Sequence, residues 1–332
     1  MSYDRQTYEK AESVINSRRL SSQSGNDRRQ KEIEIKIPEI REINSQLSRT
    51  IVDISKLIIS KKANIKESLA VIKEKNLQAQ KLVEGLLTAN GYPADYLKPK
   101  YYCEKCRDRG YTEYGRCDCL LNLLKKYSIE KLNGQANLPD CDFNHFSLEY
   151  YRGKKDADGD DCFEIMKSIY EFCRNYAESF SLKSESLLMY GKTGVGKTHL
   201  SLSIAKAVAE RGFNAAYGSI VNLLTIIERE HFGKVSEEEN MDTVNLLINA
   251  DLLVLDDLGA EFSSQFYESV TYNIINSRIN LGLPTIISTN LTAAELQKKY
   301  NERIISRIFG EFSTLCLVGE DIRQIKRLNG EL

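Results

Sequence analysis

Apolar positions along this chain change rhythm twice. From about residue 38, Ile40, Ile43, Leu47, Ile51, Ile54 and Ile58 recur every three or four residues. Leu69, Ile72, Asn76, Ala79, Val83 and Leu86 continue in strict 4-3-4-3 alternation. That period predicts long amphipathic helices, an antiparallel pair or a coiled coil. So narrow a stripe needs a cover, which favours a docking arm for a partner's helices over a bundle closing on itself. "NGYP" at Asn90 to Pro93 predicts the end, since Gly tolerates a left-handed turn and Pro cannot continue a helix. Residues 1–30 are polar, and "RRLSSQSGNDRRQ" predicts that a short first helix gives way to a loop.

Residues 121–160 read as irregular and end in the acidic "KKDADGDD", a surface turn. Phe163, Met166, Ile169, Tyr170, Cys173, Tyr176 and Phe180 then mark one face of a helix. From Ser186 the second rhythm begins: short apolar runs alternate with helical segments. "SLLMYG", "FNAAYG", "DLLVLDD", "LPTIIST" and "STLCLVG" predict strands, and the stretches between them are long enough for crossover helices. Alternation of this kind predicts an α/β fold, a parallel sheet covered on both faces. The expected domains are a helical region over 1–97, a cysteine module over 98–122, a linker over 123–160 and the α/β domain over 161–332.

Composition adds little to this. The 332 residues are 42% hydrophobic and 28% charged with net charge −1, which gives no hint of a nucleic-acid or membrane partner. The distribution is uneven: the first hundred residues carry 19 Lys+Arg against 13 Asp+Glu, and residues 183–332 carry 15 against 19. A basic front and an acidic back suit a protein that docks onto something. The start, "MSYDRQTYEK", lacks the apolar core of a signal peptide, and no apolar run approaches the roughly 20 residues that span a bilayer. A cytoplasmic protein is expected, in which clustered cysteines point to metal or catalysis before disulfides.

Candidate chemistry starts at "GKTGVGKT". Gly191, Lys192, Thr193, Gly194, Val195, Gly196, Lys197 and Thr198 fill G-x-x-x-x-G-K-[ST], with His199 opening the helix behind. The glycines let backbone N–H groups turn inward, and with the helix N-terminus they form a nest for phosphates. Lys197 can reach the β- and γ-phosphates, and Thr198 can offer its hydroxyl to Mg²⁺. "LLVLDDLGAE" describes a buried strand whose acidic tip opens into the same crevice. Asp256 suits the magnesium shell, and Asp257 suits the activation of water, with Glu261 in reserve. "LPTIISTN" puts Asn290 at a strand tip, where it contacts the γ-phosphate or the lytic water, or else caps the next helix. Arg303 and Arg307 in "ERIISRIFG" share a helix face. One could serve a neighbouring subunit's nucleotide as an arginine finger. Arg323 follows the last strand and could contact phosphate in cis.

"CEKCRDRGYTEYGRCDC" holds four of the 8 cysteines. Cys103-x-x-Cys106 and Cys117-x-Cys119 are two close pairs, each able to supply one edge of a thiolate tetrahedron for zinc. A redox pair is the rival, although redox sites need one pair. Cys141, Cys162, Cys173 and Cys316 read as packing residues.

Together, "GKTGVGKT", "LLVLDDLGAE", "STN", "RIISRIFG" and "DIRQIKR" resemble the AAA+ ATPases. More narrowly, they resemble the DnaC/DnaI-type loaders of the bacterial replicative helicase, in the IstB-like ATP-binding superfamily. The resemblance covers residues 145–328, and the cysteine segment with the preceding helices is similar to the front half of loaders from Gram-positive bacteria and their phages. Only nine residues follow Arg323, which resembles the loaders in lacking a helical lid. The resemblance implies an AAA+ P-loop sheet, a Mg²⁺-dependent ATPase and a structural Zn²⁺. It also implies ATP at Lys197, Thr198 and Asp256, hydrolysis assisted by Asp257, and sensors at Asn290 and Arg323. Of the two arginines, it selects Arg307 as the finger. The implied partners are a hexameric replicative helicase at the N-terminal region, single-stranded DNA at the motor, and further copies of the ATPase domain. By position, Arg229 and Phe232 of "IVNLLTIIEREHFG" are the DNA candidates. Asp257 stands where some members have Glu, which keeps open a nucleotide-binding adaptor. A transposase-helper ATPase is the other alternative.

Overall fold

A computed structural model describes residues 3–47, 65–135, 141–233 and 242–330. Two compact units emerge, one of residues 12–120 and the other of residues 1–11 with 121–332. No helix among the described residues is long and apolar enough to cross a membrane.

In the first unit, α1 runs unbroken from Arg5 to Lys36, so the loop expected at the Ser/Gly/Asn cluster does not form. The reason is tertiary. Ser22 is buried and donates its hydroxyl to Asp108 at 2.9 Å, while Ile15 and Ile33 are buried on the same helix. A small hydroxyl bonded to a carboxylate in the buried interior outweighs its weak helix propensity. Pro38 opens α2, helical over 38–47, where its missing N–H costs nothing. Ile51, Ile54, Ile58 and the Leu69 side chain lie outside the described residues.

Helix α3 (Ile65–Ala89) ends where Gly91 takes φ 80°, as the sequence predicts. Its predicted stripe exists: Ile72, Asn76, Ala79, Val83 and Leu86 are all half-buried. At its end the stripe is covered within the chain. Val83, Leu86 and Leu87 pack on Ile33, Ile37 and Ile40, with Tyr92, Tyr96 and Leu97 around them. This end closes on itself because Ile33 of α1, with Ile37 and Ile40 just beyond it, supplies the apolar partner.

In the second unit, α4 (Asp118–Gln135) replaces much of the irregular segment expected after residue 121. Ile129 and Leu132 are buried in the core beneath the main sheet. The sheet has five parallel strands: β3 (Ser186–Tyr190), β4 (Ala215–Ser219), β5 (Leu252–Asp256), β6 (Thr285–Thr289) and β7 (Phe312–Cys316). Their order is β4-β5-β6-β3-β7. A two-residue pair, β1 (Tyr111–Thr112) with β2 (Gly115–Arg116), forms a small antiparallel hairpin in the first unit. The five predicted strands are all present: β3 to β6 are buried on both faces, while β7, at the sheet's edge, is buried only at Phe312.

Alternate residues feed two cores. Leu188, Leu253, Leu255 and Ile287 meet α7 (Ile220–His231), α8 (Thr243–Ile248), α9 (Gln265–Leu281) and α11 (Glu302–Glu311). Leu187, Met189, Val254 and Ile286 meet α5 (Cys162–Ser179) and α6 (Lys197–Glu210). The fold is thus a three-layer α/β sandwich, as predicted.

One buried cation pins the sheet's lower rim. Arg278 of α9 is fully buried and donates to the carbonyls of Leu247, Ile248 and Ala250 at 2.8–2.9 Å, and to Thr285 Oγ1 at 2.8 Å. It also donates to the Pro284 carbonyl. These acceptors include the C-terminal carbonyls of α8, the negative end of its dipole. Arg278→Met should therefore lower unfolding stability by about 3 kcal/mol or more, because several acceptors lose their donor at once. A urea melt at constant m-value checks this.

Candidate nucleotide site and cysteine cluster

The loop between β3 and α6 bends back over the strand ends. Gly194 has φ 80°, and a Cβ there would meet Asp321 Oδ1 at 2.0 Å; one at Gly191 would meet the Leu317 carbonyl at 2.2 Å. Glycine is needed here for close approach as well as for φ. The Gly194 carbonyl accepts from the N–H of Ile322 at 3.1 Å, which ties the loop to α12 (Ile322–Leu328).

Six side chains named from the sequence converge beside this loop. Lys197 Nζ donates to the carbonyls of Gly191 and Lys192 at 2.7 Å and to Asn290 Oδ1 at 2.5 Å. Burial lowers its pKa, with Asp257 and Asp256 opposing. Thr198 Oγ1 lies 3.0 and 3.2 Å from the Asp256 carboxylate oxygens. Asn290 Nδ2 donates to Asp257 Oδ1 at 3.2 Å. Thr292, not Asn290, caps the next helix, α10 (Ala293–Lys299), in a capping box with Glu295. Asp257 holds φ 55°, an uncommon left-handed value for a residue with a Cβ, while its N–H donates to Ser288 Oγ at 3.0 Å. Burial raises the Asp257 pKa first and Asp256 second, against Lys197 and Arg323.

The cleft has a volume of about 440 Å³, and its walls include Thr193, Gly194, Gly196, Lys197, Thr198, His199, Asp257, Asn290 and Arg323. Its far wall was not anticipated. Cys141, Phe146, Tyr150, Ile322 and Lys326 line it. Phe146 stacks with Tyr151 and Tyr170, and its edge meets His199 at 5.3 Å. Ile322 and Lys326 come from α12, and Cys141, Phe146 and Tyr150 from the segment read as irregular. Two short 3₁₀ turns shape it, Phe143–His145 capped by Asp142 and Leu148–Tyr151 capped by Ser147. Asp and Ser ahead of aromatic residues were the available signal. Cys162 and Cys173 are buried and Cys141 is half-buried against the same core, as packing residues should be, whereas Cys316 is exposed.

Other named residues lie elsewhere. Glu261 is buried and accepts from the Tyr300 hydroxyl and, at 2.9 Å, from the Gly259 N–H, so it secures the loop after β5 and does not line the cleft. Arg303 is exposed on α11, and Arg307 is half-buried with Nη1 3.4 Å from Asn280 Oδ1. Neither lines the cleft. Arg229 is exposed near the end of α7, and Phe232 is 60% exposed, its ring 5.7 Å from Phe266 and 5.0 Å from His231.

In the first unit the four sulfurs of Cys103, Cys106, Cys117 and Cys119 all lie within 4.8 Å of one another. Cys103 to Cys117 is 3.7 Å and Cys106 to Cys119 is 3.5 Å. A tetrahedral thiolate site with bonds of about 2.3 Å has edges of about 3.8 Å. The donor set therefore fits zinc. Arg107 and Asp108 take φ 52° and 54° in the turn, and Asp108 accepts from the N–H groups of Cys103 at 2.8 Å and Tyr102 at 3.0 Å. Burial pushes Cys117 and Cys119 up. At Cys106 the same effect is outweighed by the Gly110 N–H and the Cys119 thiol, which bring it to about 7.

Residues 174–314 match the family model described as IstB-like ATP binding protein. The chain is 24% identical over 221 residues to the replicative helicase loader DnaC of Buchnera aphidicola subsp. Baizongia pistaciae, covering 64% of this chain and 83% of that one. It is 28% identical over 135 residues to the replicative helicase loader DnaC of Escherichia coli K12, covering 41% and 54%. It is also 28% identical over 137 residues to the replicative helicase loader DnaI of Bacillus subtilis, covering 41% and 42%. The chain thus spans about half the length of the latter two relatives. Residues 174–314 are thus similar to the IstB-like ATP binding proteins, within a sequence similar to the DnaC and DnaI replicative helicase loaders.

Proposed function

We propose that this chain is an ATP-dependent loader of a replicative DNA helicase onto single-stranded DNA. The observation that carries this reading is the convergence of Lys197, Thr198, Asp257, Asn290 and Arg323 at one cleft, with Asp256 bonded to Thr198 behind its wall, in a chain similar to proteins named as helicase loaders.

Thr198 and Asp256 are the hard oxygen ligands that magnesium takes, and they would hold it. The ion, when bound, neutralises charge on the phosphate oxygens. Phosphate would take over the oxygens' role at the Lys197 amine. Asp257 would orient and deprotonate the attacking water, with Asn290 fixing its carboxylate. Arg323 would contact phosphate in cis, and Arg307 would serve the nucleotide of a neighbouring copy. The aromatic face at Phe232, with Arg229 nearby, suits base stacking and a phosphate backbone, and would carry the DNA contact. The first unit would grip the helicase.

Asp257 works as a base only when ionised, and its pKa is raised. Turnover should therefore fall as pH drops through a value above the ordinary 3.8, while nucleotide affinity is kept. Asp257→Asn should reduce kcat by roughly a hundredfold or more and remove that acid limb. A pH profile of phosphate release that stays unchanged in the variant contradicts the assignment.

The function itself is tested by copurification with a hexameric helicase and a loading assay on single-stranded DNA, wild type against Lys197→Ala. Recovery of a transposase instead of a helicase would overturn it.

A further inference from the structure

Asp256, the proposed magnesium carboxylate, is held by more than the loop threonine. It is 4% exposed at the end of β5, and two further hydroxyls meet it. Tyr217 Oη donates to Oδ2 at 2.8 Å, and Ser288 Oγ donates to Oδ1 at 2.5 Å. Tyr217 comes from β4 on one side of β5 and Ser288 from β6 on the other. The carboxylate is thus clamped between the two strands that flank its own. Tyr217 is 5% exposed and Ser288 is fully buried, so water does not compete for these bonds. Burial raises the tyrosine pKa, with Asp256 adding to it, and the hydroxyl stays a donor.

Tyr217 sits on the edge strand, and the edge is held in turn. Asn133 of α4 accepts the Tyr217 N–H at 2.9 Å and donates to the Ala215 carbonyl at 2.9 Å. One carboxamide thus makes both bonds that a further strand would make at this point. Tyr217 is fixed at its backbone by Asn133 and at its hydroxyl by Asp256.

We propose that Tyr217 and Ser288 are positioning residues that pre-set the Asp256 carboxylate for magnesium, and that Asn133 anchors the tyrosine by standing in for a missing strand. The inference rests on the nucleotide reading above. A carboxylate with fixed donors on its outer faces presents its remaining lone pairs in one direction, which raises affinity for an ion that demands near-ideal geometry. The prediction concerns metal, not phosphate. Nucleotide without metal should bind as before, because none of the three residues lines the cleft.

The test is calorimetric titration of ADP into the full chain, in EDTA and in magnesium, with wild type, Tyr217→Phe and Asn133→Ala. Magnesium should tighten wild-type binding. Tyr217→Phe keeps the ring and should lose roughly tenfold of that tightening, with the EDTA affinity unchanged. Asn133→Ala should show the same selective loss, smaller in size. An unchanged magnesium effect in Tyr217→Phe, or an equal loss with and without metal, overturns the positioning role. A wild type that binds no nucleotide in either condition overturns the site reading itself.

Discussion

Lys197→Ala is expected to lower MgATP affinity by roughly a hundredfold or more and, on the proposed function, to abolish helicase loading, while the fold melts close to wild type. The magnitude follows from removing one member of a buried, hydrogen-bonded charge pair, which costs about 2–5 kcal/mol. In the free protein the amine contacts two loop carbonyls and Asn290, so its loss leaves neutral acceptors at the edge of a cleft and not a buried charge. Lysine in this place is also already disfavoured by burial. Stability and binding should therefore separate. Calorimetry with ATP and magnesium measures the first effect, and a thermal melt measures the second. Wild-type affinity in the variant contradicts the phosphate-loop assignment, and so does failure of the wild type to bind.

The second large effect concerns metal. Cys103→Ser with Cys106→Ser should release zinc and disorder the turn around Asp108, while nucleotide affinity stays within a few-fold of wild type. Structural zinc contributes about 10–16 kcal/mol in small zinc peptides near neutral pH, more than a short module with little apolar core can otherwise supply. Leu120 and Ile15 pack against Gly110, but little else in residues 101–117 is buried and apolar apart from the cysteines themselves. Zinc per chain, measured by plasma mass spectrometry, should fall from one to none. Helicase copurification should fall with it. Zinc content unchanged by the double substitution, or absent from the wild type, overturns the metal assignment.

The α/β unit was the more legible half. Its strands are five-residue segments with two to four apolar residues each, set between helix-length stretches, and each reads the same way whichever helix covers it. The phosphate loop was legible because its glycines answer a backbone requirement that few sequences meet by chance. The wall formed by Phe146 and Tyr150 was not legible, because short capped turns leave no period to detect. The α1 helix was misread at Ser22 because propensity is local, and the partner that decides the matter, Asp108, is 86 residues away. Asn290 had two readings from sequence. The structure separated them through Thr292, whose hydroxyl takes the cap.

By itself, the sequence determined the α/β class, the five strands, the phosphate loop, the paired acids and a four-cysteine set of zinc spacing. All of these rest on periodicity or on spacings of a few residues, which a linear chain records directly. Only the tertiary structure decided that Glu261 secures a loop and does not line the cleft, and that part of the helical stripe is covered from within. It also decided that Tyr217, Ser288 and Asn133 gather around Asp256. Those outcomes depend on which distant groups meet in low dielectric. That choice is made by packing the whole sheet, and no local pattern carries it.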